Sequence, residues 1–517
     1  MDALVRQQRL ITALADPVRY PHPVQRVERI ETHISTVLLA GDFAYKIKKP
    51  LDLGFLDFTT LERRRFYCEE ELRLNRRLAP KLYLDVVSVT GSADDPRLDG
   101  AGPVVEYAVR MRRFPQQALL SAQLASGELQ AEMLDRLGAE LARFHAAVAV
   151  APAHGPYGRF PSIAEPARDN LAMLRRLAPA RLAAIDRLHD FTEAELARLA
   201  PSFEQRRMAG AVRECHGDLH LDNIISWNDE LMIFDGIEFD PALRWIDVMN
   251  DLAFALMDLD RRDAPRLTWR LKGAYLEASG DYAGLAVLRF YQAYRALVRA
   301  KIAALRLQQV GEGPERAAAD AELERYLQLA ESYAQPRRPC LVITCGASGS
   351  GKSTAARFLV EQGGFVRLRS DLERKRLHGL GADARSASPL GGKLYSPAAT
   401  DATYQRLLQL AEAGLAAGER VVVDATFLER ERRDGFARLA HARSVPFHIV
   451  LLQADPSLLA ARVERRLALG GDPSEATLAV LARQLETAQW PMPAEATVLA
   501  LSGEQADWPS QLTALTG

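Results

Sequence analysis

The sequence predicts an α+β unit followed by an α/β unit, the second built on a five-stranded parallel sheet flanked by helices. Three observations predict it. Short β-rich runs cluster early and give way to helical text, whereas beyond residue 340 β-rich runs and helical text alternate one for one. The two regimes meet at AQPRRP, 334–339, where two prolines deny backbone donors to helix and sheet alike. At 517 residues the chain also exceeds the size at which one core keeps growing, so domains at 1–335 (lobes at about 25–113 and 114–335) and 340–517 are expected.

The elements follow in order. Runs at 35–39, 44–47, 86–89 and 104–111, with a polar helix over 61–78, make a small sheet carrying a helix. From 117 to 200, Leu134, Leu137, Leu141, Phe144 and His145 recur at helical spacing, which predicts packed helices. Runs at 223–226 and 231–234 flank Asn228 and Asp229 and predict a hairpin, after which helices resume to about 334. The parallel strands are expected at 341–345, 365–369, 420–423, 447–452 and 497–501.

With 48% hydrophobic residues, 26% charged residues and a net charge of −1, composition gives no overall pull toward nucleic acid or membrane. No window approaches the length of an apolar membrane span, and the N-terminus lacks the basic start and apolar stretch of a signal peptide. Cys68, Cys215, Cys340 and Cys345 show no paired spacing, so reduced thiols and a cytoplasmic protein are expected. Lysine is scarce, nine among 66 basic residues, so a lysine standing where phosphate chemistry needs one carries weight.

GASGSGKS, 346–353, is a complete GxxxxGK[ST] between an apolar strand and a helix with Ala355, Phe358 and Leu359 on one face. Gly346, Gly349 and Gly351, with Ser348 and Ser350, let backbone N–H groups wrap phosphate oxygens, and Thr354 lies at the helix N-terminus that adds positive potential. Lys352 is expected at the β- and γ-phosphates of ATP and Ser353 on Mg²⁺. Asp371, in RSDLERKR at the end of the second strand, is a candidate base, with Arg374 one turn on to hold an anionic group; an N-cap is the competing reading of Asp371. Asp424 ends VVVD, suited to a Mg²⁺-bound water or to a turn. Arg462 and Arg466, with Arg465 between them, stand either on a lid facing the transferred phosphoryl group or on a solvated helix face.

These motifs resemble the P-loop kinase group containing gluconate kinase-like enzymes, polynucleotide 5′-kinases and zeta toxins, over about 340–517. The DxxR of Asp371 and Arg374 is similar to the pattern at which polynucleotide kinases and zeta toxins place a base and a substrate-side arginine.

Earlier in the chain, CHGDLHLDNII holds His216, Asp218 and Asn223, and Asp235 follows in IFDG. In this order Asp218 orients and deprotonates an acceptor hydroxyl, Asn223 ligates a metal, and Asp235 holds Mg²⁺ against the β- and γ-phosphates. FAYKIKKP offers Lys46, Lys48 and Lys49; Lys46 is the expected phosphate-side lysine, with Glu71 its expected partner and Glu70 the alternative register. A solvated strand edge is the competing reading of the lysines. Asp240, Asp247 and Asp251 read as solvated or capping acids in preference to a site for substrate amines.

Over about 25–335 the chain resembles the aminoglycoside phosphotransferase and choline kinase branch of the bilobal protein-kinase-like fold. It departs from that pattern in one place: THISTVLLAG, 32–41, stands where a glycine-rich phosphate loop is expected, leaving the Thr32 and Ser35 hydroxyls as substitutes. The resemblances imply an enzyme with two ATP sites phosphorylating hydroxyls of small sugar- or aminoglycoside-like molecules. The alternatives are a nucleic-acid end kinase, a zeta-like nucleotide-sugar kinase, and a nucleotide sensor with an inactive N-terminal lobe.

Overall fold

The computed structural model describes residues 3–54, 56–381, 396–469, 476–502 and 508–515. Compact contacts divide the chain into two units: Met1–Gln130 with Phe144–Pro166 and Phe203–Asp258, and Ala131–Arg143 with Ala167–Ser202 and Leu259–Gly517.

In the first unit, strands β1 (Val27–Glu31), β2 (Ser35–Ala40), β3 (Phe43–Lys48), β4 (Tyr83–Gly91), β5 (Pro96–Leu98) and β6 (Val104–Arg112) form an antiparallel sheet in the order β1-β2-β3-β6-β4-β5. Alternation along β3 buries Tyr45 and Ile47 against Leu10 and Ile11 of the helix Ala3–Ala13 and Leu14 just beyond it, while Lys46 and Lys48 share the opposite face. The helix Leu61–Asn75, capped by Thr60 accepting from the Arg63 amide, is polar for the most part, and beside Cys68 and Leu74 it buries Arg64, Glu71 and Asn75. Polar residues buried on a helix need partners, and that need points to the site described below. The short pair β7 (Val212–Glu214) and β10 (Trp245–Asp247) brackets the hairpin β8 (Ile224–Trp227) and β9 (Glu230–Ile233). Asn228 and Asp229 turn that hairpin with φ of 53° and 61°, as asparagine and aspartate tolerate best. The sheet with its helix and the expected hairpin are present; β1, β5 and the N-terminal helix were not expected.

The second unit carries a parallel sheet of β11 (Leu341–Cys345), β12 (Val366–Arg369), β13 (Val421–Asp424), β14 (Phe447–Gln453) and β15 (Thr497–Ser502), ordered β12-β13-β11-β14-β15. All five expected strands form. β11 is buried at every position, as a central parallel strand must be. The helix Lys352–Gly363 lays Ala355, Ala356 and Leu359 on Val342, Val422 and Val450, each large apolar side chain contributing about 1.5–3 kcal/mol by burial. The helices Pro265–Ser279, Leu285–Gln309 and Pro314–Ala334 belong to this unit, and AQPRRP runs without regular structure from Ala334 to β11. Among the described residues no helix is long and apolar enough to cross a membrane, and all four cysteines are free thiols.

Candidate active sites

In the first unit β3 projects Lys46 and Lys48 toward the same carboxylate. Lys46 Nζ lies 2.9 Å from Glu71 Oε1 and Lys48 Nζ 2.6 Å from Glu71 Oε2. Lys46 also pairs with Asp235, and Lys48 with Glu238 while standing over the Phe58 ring. Glu71, not Glu70, therefore faces the lysines; Glu70 turns the other way, to Arg73 and Arg244. Burial would raise the Glu71 carboxyl, but the two ammonium groups overcome it and hold the group down at about 2. Burial also raises the Glu238 carboxyl, against the pull of Lys48. Two lysines and three carboxylates leave the cluster one negative charge in excess when all are ionised, which suits a further cation. The solvated-edge reading fails for Lys46 and Lys48, which are buried.

Asp218 and Asn223 sit on a loop held from several directions. Asn223 Nδ2 donates to the Asp218 carbonyl at 2.9 Å and to its carboxylate at 3.1 Å. His216 stitches this loop to the one bearing Asp235: its Nε2 lies 2.9 Å from the Phe234 carbonyl, and its own carbonyl accepts from the Ile237 amide at 3.0 Å. The Asp218 amide donates to His216 Nδ1, so the ring is a neutral imidazole with its proton on Nε2, and burial lowers its pKa accordingly. Asp235 itself adopts φ of 61°, its amide donating to the Tyr83 hydroxyl at 3.2 Å. That backbone turn aims the carboxylate at Lys46.

Two residues of the helix Val248–Arg261 anchor the Asp218 loop, and sequence reasoning misread one and passed over the other. Asp251 accepts from the His216 amide at 3.1 Å and the Gly217 amide at 2.8 Å, and lies 3.1 Å from His145 Nε2. Asp258, two turns on, accepts from the Leu221 amide at 3.0 Å. Asp251 is fully buried and accepts from a distant loop, so it is neither solvated nor a cap; Asp247 is buried too, paired with Arg206 at 2.7 Å, but it does cap the helix Val248–Arg261 by accepting from the Met249 amide at 2.8 Å, as Asp240 caps the helix Pro241–Arg244. The missed signal was a pair of acids seven residues apart on the buried face of an apolar helix.

Burial raises the Asp251 carboxyl, but His145 and the loop amides outweigh it and hold it at about 2. Its folded pKa is depressed, so its contribution, about 2 kcal/mol, is present above the unfolded carboxylate range and lost as pH falls toward 2. Asp251→Ala strands two buried amides and should cost about 2–4 kcal/mol, read as a lower urea midpoint, with the deficit shrinking below pH 4.

The turn at 32–34 is closed by its own side chain: Thr32 Oγ1 donates to the Ser35 carbonyl and accepts from the Ser35 amide. The Ser35 hydroxyl is buried without a hydrogen-bond partner among the described residues. The expected substitution of both hydroxyls for a glycine loop is thus reduced to Ser35, because Thr32 is committed to the turn.

In the second unit one cleft of about 1080 Å³ collects Lys352, Ser353, Asp371, Arg374, Asp424, Arg462 and Arg466, together with Ser348, Gly349, Ser350, Gly351 and Thr354. The loop from 346 needs its glycines. A Cβ on Gly346 would stand 2.5 Å from the Leu452 carbonyl oxygen, and Gly349, at φ of 84°, would meet the Leu459 carbonyl oxygen at 2.8 Å. Lys352 Nζ donates to the Ala347 carbonyl at 2.8 Å, and burial holds its ammonium below the ordinary range against the pull of Asp424 and Asp371. Asp371 lies inside the helix Ser370–Leu377, whose N-cap position is Arg369, so the capping reading does not hold. Asp424 ends β13 well before the next helix, Arg430–Ala442, and its Oδ2 is buried without a hydrogen-bond partner among the described residues. Arg374 donates to Thr400 Oγ1 at 3.1 Å. Arg462 donates to the Gly349 carbonyl at 3.3 Å and Arg466 to the Ala476 carbonyl at 3.0 Å, while Arg465 is exposed, so the two expected arginines do share the face toward the cleft. Arg369 and Arg432, the latter 4.4 Å over the Tyr404 ring, line the same cleft and were not expected.

An uncharacterized protein of Mycobacterium tuberculosis (strain ATCC 25618 / H37Rv) is 32% identical over 474 residues, covering 90% of this chain and 92% of that protein; an uncharacterized protein of Mycobacterium bovis matches to the same extent. The chain belongs to this family. Within it, residues 61–291 match the phosphotransferase enzyme family and residues 341–491 match an AAA domain, so the chain joins a kinase-like phosphotransferase domain to a P-loop kinase domain. Glu71, Asp218, Asn223 and Asp235 fall in the first match, and every expected residue of the second cleft falls in the other. A sugar kinase from Janibacter sp. HTCC2649 shares 23% identity at a TM-score of 0.27, covering 35% of this chain and 92% of its own. A choline/ethanolamine kinase family protein from Mesorhizobium loti shares 18% at 0.39, covering 64% and 97%.

Proposed function

We propose that the chain is a cytoplasmic ATP-dependent phosphotransferase with two MgATP sites, each passing a phosphoryl group directly to a hydroxyl of a small molecule. The observation that carries this is the cleft of the second unit, where a phosphate-cradling loop and its lysine face a carboxylate on a helix that also bears an arginine.

In that cleft the backbone of 346–354 and Lys352 bind the β- and γ-phosphates, Arg462 and Arg466 cover the transferred group, and Asp371 accepts the acceptor hydroxyl's proton as its oxygen attacks phosphorus and the bond to the β-phosphate oxygen breaks. Arg374 beside Asp371, with Arg369 and Arg432, supports an acceptor that also carries an anionic group. In the first unit Asp218 plays the same part toward a second acceptor, with Lys46, oriented by Glu71, on the phosphates. Ser353 and Asp424 in one site, Asn223 and Asp235 in the other, fit Mg²⁺: the orphaned Asp424 oxygen and the surplus negative charge at Lys46 each call for a cation. Bound Mg²⁺ supplies charge neutralisation on the phosphate oxygens.

The test is ATP consumption by wild type, Asp218→Asn and Asp371→Asn against a pool of sugars, sugar acids, aminoglycosides, nucleosides and oligonucleotide ends, with mass detection. A product heavier by one phosphoryl group, lost in one variant only, assigns that reaction to its site. No product with any acceptor, despite ATP binding, overturns the small-molecule reading.

A further inference from the structure

Glu277 lies on the helix Pro265–Ser279, outside the stretch that matches the AAA domain, yet it meets the segment that carries Asp371 at three points. Its Oε1 accepts from Arg367 Nε at 2.7 Å, its Oε2 lies 3.6 Å from Arg369 Nη1, and its carbonyl accepts from Arg376. These arginines bracket Asp371: Arg367 and Arg369 end β12, and Arg376 is on the helix Ser370–Leu377. Arg376 pairs in turn with the buried Glu373, and Arg367 also reaches the Ser353 carbonyl at 3.4 Å. The Tyr282 hydroxyl donates to the Arg367 carbonyl at 3.3 Å. The Arg376 side chain lies directly over Gly280, at φ of 72°, where a Cβ would stand 2.9 Å from its Nε and displace it. One carboxylate thus offsets the charges of two largely buried guanidinium groups at the strand end that feeds the candidate base.

We infer that Glu277 is a positioning residue for phosphotransfer at the P-loop site, holding Asp371 and Arg369 in register with Lys352 and Ser353. This rests on the reading of the cleft as a kinase site. Without the carboxylate, Arg367 and Arg369 repel each other, the Asp371 helix loses its fixed start, and Arg369 is released into a cleft where it competes for the anion meant for Arg374. The same helix also packs by a separate set of contacts, Lys272 with Glu419 at 2.9 Å and Trp269 against Gly364, which touch neither Arg367, Arg369 nor Arg376. Lys272 therefore serves as a control for packing alone.

The experiment uses the full chain. In Glu277→Gln, amide exchange over 366–377 should quicken about 10-fold, and the ATP turnover that Lys352→Ala removes should fall about 10- to 100-fold in kcat with KM for ATP moving less than about 3-fold. Lys272→Met should lower the melting temperature while leaving both readings unchanged per folded molecule. Unchanged exchange at 366–377 in Glu277→Gln overturns the inference whatever the turnover does, and so does faster exchange with unchanged kcat. A wild type with no Lys352-dependent turnover counts instead against the kinase reading and removes the role inferred from it, a result distinct from either exchange outcome.

Discussion

Lys352→Ala is expected to cut the number of MgATP molecules bound per chain from two to one, the P-loop site weakening about 100- to 1,000-fold. The lysine is half-buried, and its position by the Ala347 carbonyl, in the field of Asp424 and Asp371, is set by the fold before any ligand arrives. Truncating one partner of a buried hydrogen-bonded charge pair costs about 2–5 kcal/mol, which sets that range. Lys352→Arg should not restore binding, because a planar fork does not fit where a point charge sits within 2.8 Å of a carbonyl. Calorimetric titration of the full chain checks this. A stoichiometry still at two in Lys352→Ala would show that the loop holds phosphate without its lysine. A wild type that binds one would leave a single nucleotide site.

The sites were legible where chemistry is local in sequence and illegible where it is assembled from afar. GASGSGKS carries its glycines, its lysine and its terminal serine within eight residues directly after the strand Leu341–Cys345, and residues 348–353 of it line one cleft. The parallel strands were read in full because buried strands alternating with helices leave an unambiguous pattern. Glu71 required the fold, since EEE offers three registers and only the contacts of Lys46 and Lys48 choose among them. Asp251 was misread for a related reason: an aspartate in text cannot show that its partners are two amides 34 and 35 residues upstream. Glu277 was not noticed at all. Its partners lie 90 to 99 residues on, in the part of the chain that the prolines at 336 and 339 seemed to set apart. β1 and β5 went unseen because one is largely exposed, without a buried apolar stripe, and the other is three residues long.

Asp218→Asn tests the first unit, and the expected result is a fall of about 100- to 10,000-fold in kcat for its reaction with MgATP binding and thermal stability unchanged. The substitution keeps the side chain's shape, and the amide oxygen can still accept from Asn223 Nδ2, which now lies 3.1 Å from the carboxylate. The loop keeps its other anchors too: the bonds from the His216 and Gly217 amides to Asp251, from the Leu221 amide to Asp258, and from the His216 ring to Phe234. Besides the charge that faces His220 Nε2 at 3.4 Å, what is lost on the proposed reading is the ability to take a proton from an acceptor hydroxyl. Asp251→Ala is the instructive contrast, since it leaves the base in place and loosens the loop beneath it, so its damage should appear first in the urea midpoint. The same assay decides what the closed turn at Thr32 means. Without a glycine-rich loop the turn between β1 and β2 offers fewer backbone donors, so a nucleotide bound as proposed has its β-phosphate left to Lys46 and Ser35. Turnover in wild type that disappears in Asp218→Asn would show that they do. Nucleotide binding with no turnover in either protein would make this unit a nucleotide sensor, with the Lys46, Glu71 and Asp235 cluster serving recognition alone.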